Sequence, residues 1–182
     1  MAKGKLPLND LAGGAGRMDV LVRALMSSIL TSHGIRNDVE FTMILLGGPG
    51  PSRRIKFVSN GLKGIHAEER AVAGKIAAVL KEPIPPRGHW RERSPGIYDG
   101  GGDLDMTLDE WQCPTIRLEA NSPSLYSGKI PNNFSIDDIG FILGDDKTLE
   151  CDRGTARSLG SNWLQGHTCI SIVHFLLDEG VI

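Results

Sequence analysis

Apolar positions recur every three or four residues through 16–33, GRMDVLVRALMSSILTSH, where Met18, Leu21, Val22, Leu25, Met26, Ile29 and Leu30 draw one stripe. That spacing predicts an amphipathic helix. Gly34 supplies a stop, and His33 and Arg36 stand beside the negative end of the helix dipole. The period then changes. Residues 39–46, VEFTMILL, are β-branched and apolar and are halted by GGPGP, so they read as a buried strand. Residues 54–58, RIKFV, predict a second strand. HAEERAVAGKIAAVLK (66–81) predicts a second helix, with acids in its first turn and Lys81 at its end. Helix, strand, strand, helix is the resulting order.

The pattern weakens over 82–102, EPIPPRGHWRERSPGIYDGGG, where proline and glycine predict irregular structure with a short strand at 97–98. Residues 104–111 predict a short helix capped by Thr107, 114–120 a strand, and 120–138 a turn-rich stretch. Apolar runs return at 139–146, IGFILGDD, and at 156–161, ARSLGS. Both read as strands ending in glycine-containing loops. A helix from about residue 168 to residue 179 closes the chain. Strands that run into glycine loops ahead of helices form the usual ligand-binding edge of an α/β sheet.

Length and charge narrow the picture. The chain has 182 residues, which suits one domain with a core of its own. Its formal net charge is −2, so any nucleic acid must be met by a local basic patch rather than by the whole surface. Two clusters qualify: Arg53, Arg54 and Lys56, and Arg87, His89, Arg91 and Arg93 around Trp90. Basic residues beside an aromatic suit single-stranded RNA or a tRNA loop, and equally a solvated loop. On the RNA reading, Arg91→Ala and Arg93→Ala each make the salt dependence of RNA affinity shallower. Cys113, Cys151 and Cys169 are far apart, with neither CxxC pairing nor a histidine at ligand spacing. This argues for a reducing compartment and against a disulfide framework or a zinc site. No signal peptide and no membrane-length apolar run are read, so a cytoplasmic protein is expected.

Several of these stretches together carry a resemblance. LNDLAGGAGRMDVLVRALMSSILTSHGIRNDVEF (8–41), HAEERAVAGKIAAVL, RERSPGIY (91–98), FILGDD (141–146) and SLGSNWLQGHTCISIV (158–173) resemble, in order, the archaeal tRNA pseudouridine N1-methyltransferases of the trefoil-knot (SPOUT) class. The resemblance implies a single knotted α/β domain over 1–182, with an open, mostly parallel sheet flanked by helices. It also implies a homodimer that acts on tRNA without metal. Relatives open with a strand ahead of their LNDL-like motif, so either the native start lies upstream of Met1 or the sheet expected here lacks that first strand.

The resemblance further implies that the two glycine loops hold S-adenosylmethionine. Leu143, Gly144, Leu159, Gly160, Leu164 and Cys169 are the expected contacts, with small residues admitting close backbone approach. Methyl transfer needs donor and nucleophile held about 3 Å apart. The N1–H of pseudouridine also needs a base, or a field that stabilises its anion. Asp10, Arg17 and Asp19 are the candidates. Asp10 reads either as a base facing substrate or as a turn former. Asp19 reads either as a functional acid or as a dipole partner at a helix start. Arg17 is unfavourable at a helix N-terminus and is expected to serve a phosphate, a carboxylate or the substrate base. His167 is either a ligand contact or a loop histidine. Cys169 starts the last helix, where a thiol pKa can fall, and is read as packing against the cofactor. Two rival readings stand beside this one: a methyltransferase acting on another tRNA or ribosomal RNA site, and a degenerate RNA binder without catalysis.

Overall fold

The computed structural model describes residues 6–48, 50–126, 138–145 and 149–182. The chain divides into two compact units, Met1–Glu110 and Trp111–Ile182.

In the first unit, α1 (Met18–Ile29) leads into a small hairpin of β1 (Leu30–Thr31) and β2 (Gly34–Ile35). β3 (Glu40–Leu45) and β4 (Arg53–Val58) follow, then α2 (Glu69–Lys81), β5 (Trp90–Ser94), β6 (Ile97–Gly101) and α3 (Leu104–Glu110). The larger sheet has the order β3-β4-β6-β5 and is antiparallel throughout. β5 and β6 are joined by a tight turn through Pro95 and Gly96, which only an antiparallel pair permits.

The predicted apolar stripe of α1 is the buried one. Val22, Leu25 and Ile29 pack with Val72, Ile76 and Val79 of α2 and with Met43, Ile55, Phe57 and Ile97 of the sheet. Burial of this kind is worth about 1.5–3 kcal/mol per large side chain. Two predicted boundaries move. α1 ends at Ile29, not near residue 33, because Ser28 Oγ donates to the Leu25 carbonyl at 2.8 Å and the chain then turns extended. His33 and Arg36 therefore do not sit at the end of this helix. α2 starts at Glu69 because the Glu68 carboxylate caps it, accepting from Arg70 N at 2.9 Å and Ala71 N at 2.7 Å. Arg23 of α1 meets Glu69 of α2 at 3.0 Å.

The stretch predicted to be irregular holds a hairpin. Its turn depends on Gly96, at φ 74°, where an added Cβ would lie 2.6 Å from Leu62 N and 2.8 Å from the Val58 carbonyl oxygen. α3 is capped by Asp103, whose carboxylate accepts from Met106 N at 3.1 Å. Thr107, expected as the cap, is buried inside α3 and donates to the Asp103 carbonyl.

The basic clusters are also corrected. Arg53, Arg54 and Arg93 are structural ion-pair residues rather than a nucleic-acid surface. Arg53 donates to Asp99 through Nε and Nη2, each at 2.7 Å, and Arg93 adds two more bonds at 3.0 and 2.8 Å. Asp99 is fully buried. Arg54 is fully buried too, with its guanidinium 4.4 Å from the centroid of the Trp90 ring. Its Nη2 lies 2.9 Å from Glu110 Oε1 without hydrogen-bond alignment, and its Nε has no hydrogen-bond partner among the described residues. Arg91 and His89 remain exposed, while exposed Arg87 pairs with Asp103 at 2.7 Å.

The second unit is the parallel part of the fold. β7 (Thr115–Leu118) is flanked by β8 (Gly140–Ile142) and β9 (Thr155–Arg157), in the order β8-β7-β9, with both pairings parallel. α4 (Gly166–Asp178) supplies Val173 and Leu176 to a core shared with Ile116 and Leu125. The expected mostly parallel sheet is thus found within this unit alone. Much of the stretch read as turn-rich, and Asp146 of the predicted strand, lie outside the described residues. Among the described residues, no helix is long and apolar enough to cross a membrane and no cluster could hold a metal.

Candidate functional site

The first parallel strand of the second unit lies between the later two. Chains leaving the carboxyl ends of β7, β8 and β9 therefore diverge from one edge, and a crevice opens there. A cavity of about 370 Å³ occupies this edge, within the usual range of about 300–1,000 Å³ for small-molecule sites. Leu143, Gly144, Leu159, Gly160, Leu164 and Cys169 all line it. The structure thus brings the six residues expected to hold a cofactor into one concavity.

Local chemistry shapes its walls. Ser158, buried at the end of β9, accepts from Gly160 N at 2.9 Å and donates to the Gly160 carbonyl at 2.6 Å. The same residue is tied to 123–125 by Ser158 N donating to the Pro123 carbonyl and Leu125 N donating to the Ser158 carbonyl. The glycine loop is therefore a folded, internally bonded turn. Gly160 sits at φ 143°, a conformation nearly restricted to glycine, and an added Cβ would meet nothing within 4 Å. Cys169 lies in the first turn of α4, with Sγ 3.9 Å from the Leu164 carbonyl. Burial pushes its thiol pKa up and its own backbone contact opposes this only partly. That direction disfavours the thiolate that nucleophilic chemistry requires.

Asp145, Asn162 and Trp163 lie within the two loops, 143–146 and 158–164, expected to hold the cofactor, whereas Arg117, Glu119 and Asn121 went unread in the sequence. Arg117 and Glu119 of the first parallel strand and its extension, and Asn121, Asp145, Asn162 and Trp163, also face this cavity. Trp163 is 76% exposed, an apolar ring left open at the rim. TIRLEA gave a strand and nothing more. Its alternation of Arg117 and Glu119 on one strand face was the available signal.

The three proposed catalytic residues lie in the first unit. Asp10 folds back on its own loop: its carboxylate accepts from Gly13 N at 2.9 Å and Gly14 N at 2.7 Å. Arg17, at φ 62°, stands in the left-handed region just before α1, a conformation that costs a non-glycine residue on the order of 1 kcal/mol. Its Nε donates to Asp19 Oδ1 at 3.0 Å, and Arg23 reaches Asp19 Oδ2 at 3.4 Å. Arg17 and Asp19 are therefore brought together.

Asp19 is nearly buried, at 4% exposure. Burial works to raise its pKa, but the hydrogen bond and charge of Arg17, the charge of Arg23 and the Val20 amide together hold it below 3.8. A carboxylate depressed in the folded state stabilises the fold above its unfolded pKa, and that contribution is lost as pH falls through the folded value. Asp19→Asn is expected to lower stability at neutral pH and to flatten the acid limb of the stability curve below about pH 4. Unfolding followed by circular dichroism from neutral to acid checks this, and an unchanged acid limb would remove Asp19 from the ion-pair account.

Sequence comparison settles the family. A family model described as "Putative SAM-dependent RNA methyltransferase" matches residues 1–182. This chain belongs to that family. A Methanocella arvoryzae protein named tRNA (pseudouridine(54)-N(1))-methyltransferase is 32% identical over 186 residues, covering 96% of this chain and 92% of the relative. A protein of the same name from Methanocaldococcus jannaschii is 32% identical over 188 residues, covering 94% and 88%. A third, from Methanospirillum hungatei, is 42% identical over 104 residues, covering 57% and 53%.

The residues present suit the family's methyl donor. Leucines on several walls offer an apolar slot for a purine, and Glu119, Arg117 and the two asparagines offer polar partners at its edge.

Proposed function

We propose that this chain is an S-adenosylmethionine-dependent tRNA methyltransferase that methylates N1 of a T-loop pseudouridine. The observation that carries the reading is the cavity at the carboxyl edge of the parallel sheet, which gathers all six expected cofactor contacts in a chain matched nearly end to end by relatives of that name. S-adenosylmethionine, when bound there, supplies an electrophilic methyl group on a sulfonium.

The chain's own residues then bind, orient and handle charge. Leu143, Gly144, Leu159, Gly160, Leu164 and Cys169 hold the donor and keep water from it. Among Asp10, Arg17 and Asp19, Arg17 suits the negative charge that develops on the pseudouridine ring as N1 loses its proton. Asp19 is a poor proton acceptor, since its pKa is held low. It serves as the counter-ion that fixes the Arg17 guanidinium. Asp10, whose carboxylate is exposed, is the proton acceptor on this reading. The same reading takes 1–182 as one trefoil-knotted domain, working as a homodimer in the cytoplasm.

The test is a methylation assay on tRNA carrying T-loop pseudouridine, with S-adenosylmethionine titrated calorimetrically in parallel. The expected result is saturable binding of one donor per chain and a methyl group mapped by mass spectrometry to N1 of that nucleotide. A methyl group mapped elsewhere would transfer the reading to another tRNA or ribosomal site. Donor binding with no transfer to any RNA would point to a non-catalytic member, and no donor binding by a folded chain would overturn the cofactor site.

A further inference from the structure

We propose that Glu119 and Arg117 hold the charged amino-acid end of S-adenosylmethionine. The inference rests on the cofactor reading above and assigns a polar subsite within the same cavity. The donor has two unlike ends: a purine nucleoside, and an α-amino acid bearing an ammonium and a carboxylate beside the sulfonium. The cavity lining carries both kinds of surface. Leu143, Leu159 and Leu164 present apolar surface, while an ion pair stands on the first parallel strand and its extension.

The geometry of that pair favours a zwitterion. Arg117 and Glu119 are two residues apart, so they project from one face of the strand. Glu119 Oε2 accepts from Arg117 Nε at 3.3 Å and Nη2 at 3.1 Å. Arg117 is also anchored from behind, where Nη1 donates to the Arg153 carbonyl at 3.0 Å. The Arg117 side chain is only 17% exposed, whereas that of Glu119 is 51% exposed. A fixed cation and an accessible acid thus stand side by side in the cavity. An amino acid placed against them sets its carboxylate on the guanidinium and its ammonium on the Glu119 carboxylate, closing a ring of alternating charges.

Three ligands separate this subsite from the rest of the cavity. S-adenosylmethionine and S-adenosylhomocysteine carry the amino-acid end, and 5′-methylthioadenosine keeps the nucleoside but lacks it. Binding of each to wild type, Glu119→Gln and Arg117→Lys is measured by titration calorimetry. Each substitution is expected to weaken the first two ligands about tenfold, the scale of a lost charged hydrogen bond, and to change methylthioadenosine binding less than about twofold. Equal weakening of all three ligands, or no weakening of any, overturns the proposal. If none of the three binds folded wild-type protein, the cofactor reading itself fails and takes the subsite with it.

Discussion

Cys169→Trp is expected to weaken S-adenosylmethionine binding severely while leaving the protein folded. Cys169 faces the cavity from the first turn of α4, and its thiol is kept neutral by burial. An indole at that position projects into a space of about 370 Å³ and takes the volume that a purine needs. The backbone tolerates the change, because tryptophan costs a helix only a fraction of a kcal/mol relative to good helix formers, roughly 0.5. The dissociation constant is expected to rise on the order of 100-fold, or about 2.8 kcal/mol. Calorimetric titration, with circular dichroism to confirm the fold, checks the result.

Gly160 is the less informative position for such a block. At φ 143° any side chain there strains the loop before it fills anything. Lost binding in a Gly160 variant would report the loop and the slot together. Wild-type affinity in folded Cys169→Trp, by contrast, would place the donor somewhere other than this cavity.

The cavity was legible because its walls are sequence-local. FILGDD and SLGSNWLQGH each show a strand turning into a glycine loop, and the cofactor candidates sit in those loops or just beyond. The α1 stripe was legible for a similar reason, since one helix face needs only its own periodicity. The β5–β6 hairpin was not. WRERS is charged on both faces, and its strand exists because β6 pairs with it on one side and with β4 on the other. Arg53 and Arg93 were misread because their shared carboxylate, Asp99, lies 46 residues from Arg53 and is visible only after folding. One clue was present: Arg53 shares a strand face with Ile55 and Phe57, so if those two point inward, Arg53 must as well. Asp103 displaced Thr107 as the α3 cap because the helix starts one residue after the aspartate, which puts Thr107 inside it.

Asp99→Asn is expected to destabilise the unit Met1–Glu110 by about 3–5 kcal/mol, the usual cost of breaking a buried ion pair by removing one partner. Asp99 has no solvent exposure and accepts four hydrogen bonds from two guanidinium groups. Arg53 and Arg93 are themselves only 7% and 11% exposed at the side chain. Asparagine keeps the shape but removes the charge, and its amide NH2 faces donors where a carboxylate oxygen stood. Two nearly buried cations then lose the carboxylate they share, and Arg53 keeps the Val79 carbonyl while Arg93 keeps the Pro83 carbonyl and the half-exposed Glu82. Glu40→Gln is the control. Its pair with Lys56 spans 3.6 Å at a 55% exposed carboxylate, and its loss should change stability by no more than about 1 kcal/mol. Chemical denaturation of both variants, followed by circular dichroism, gives the comparison. Arg93→Ala carries the argument one step further. If Arg93 served RNA, its removal would leave stability alone and make the salt dependence of RNA affinity shallower. On the structure it should instead cost stability, and the double variant with Asp99→Asn should lose less than the sum of the two, because both changes break one network. Strict additivity would mean that Arg93 acts independently of Asp99, and the buried network would be the wrong account of this face.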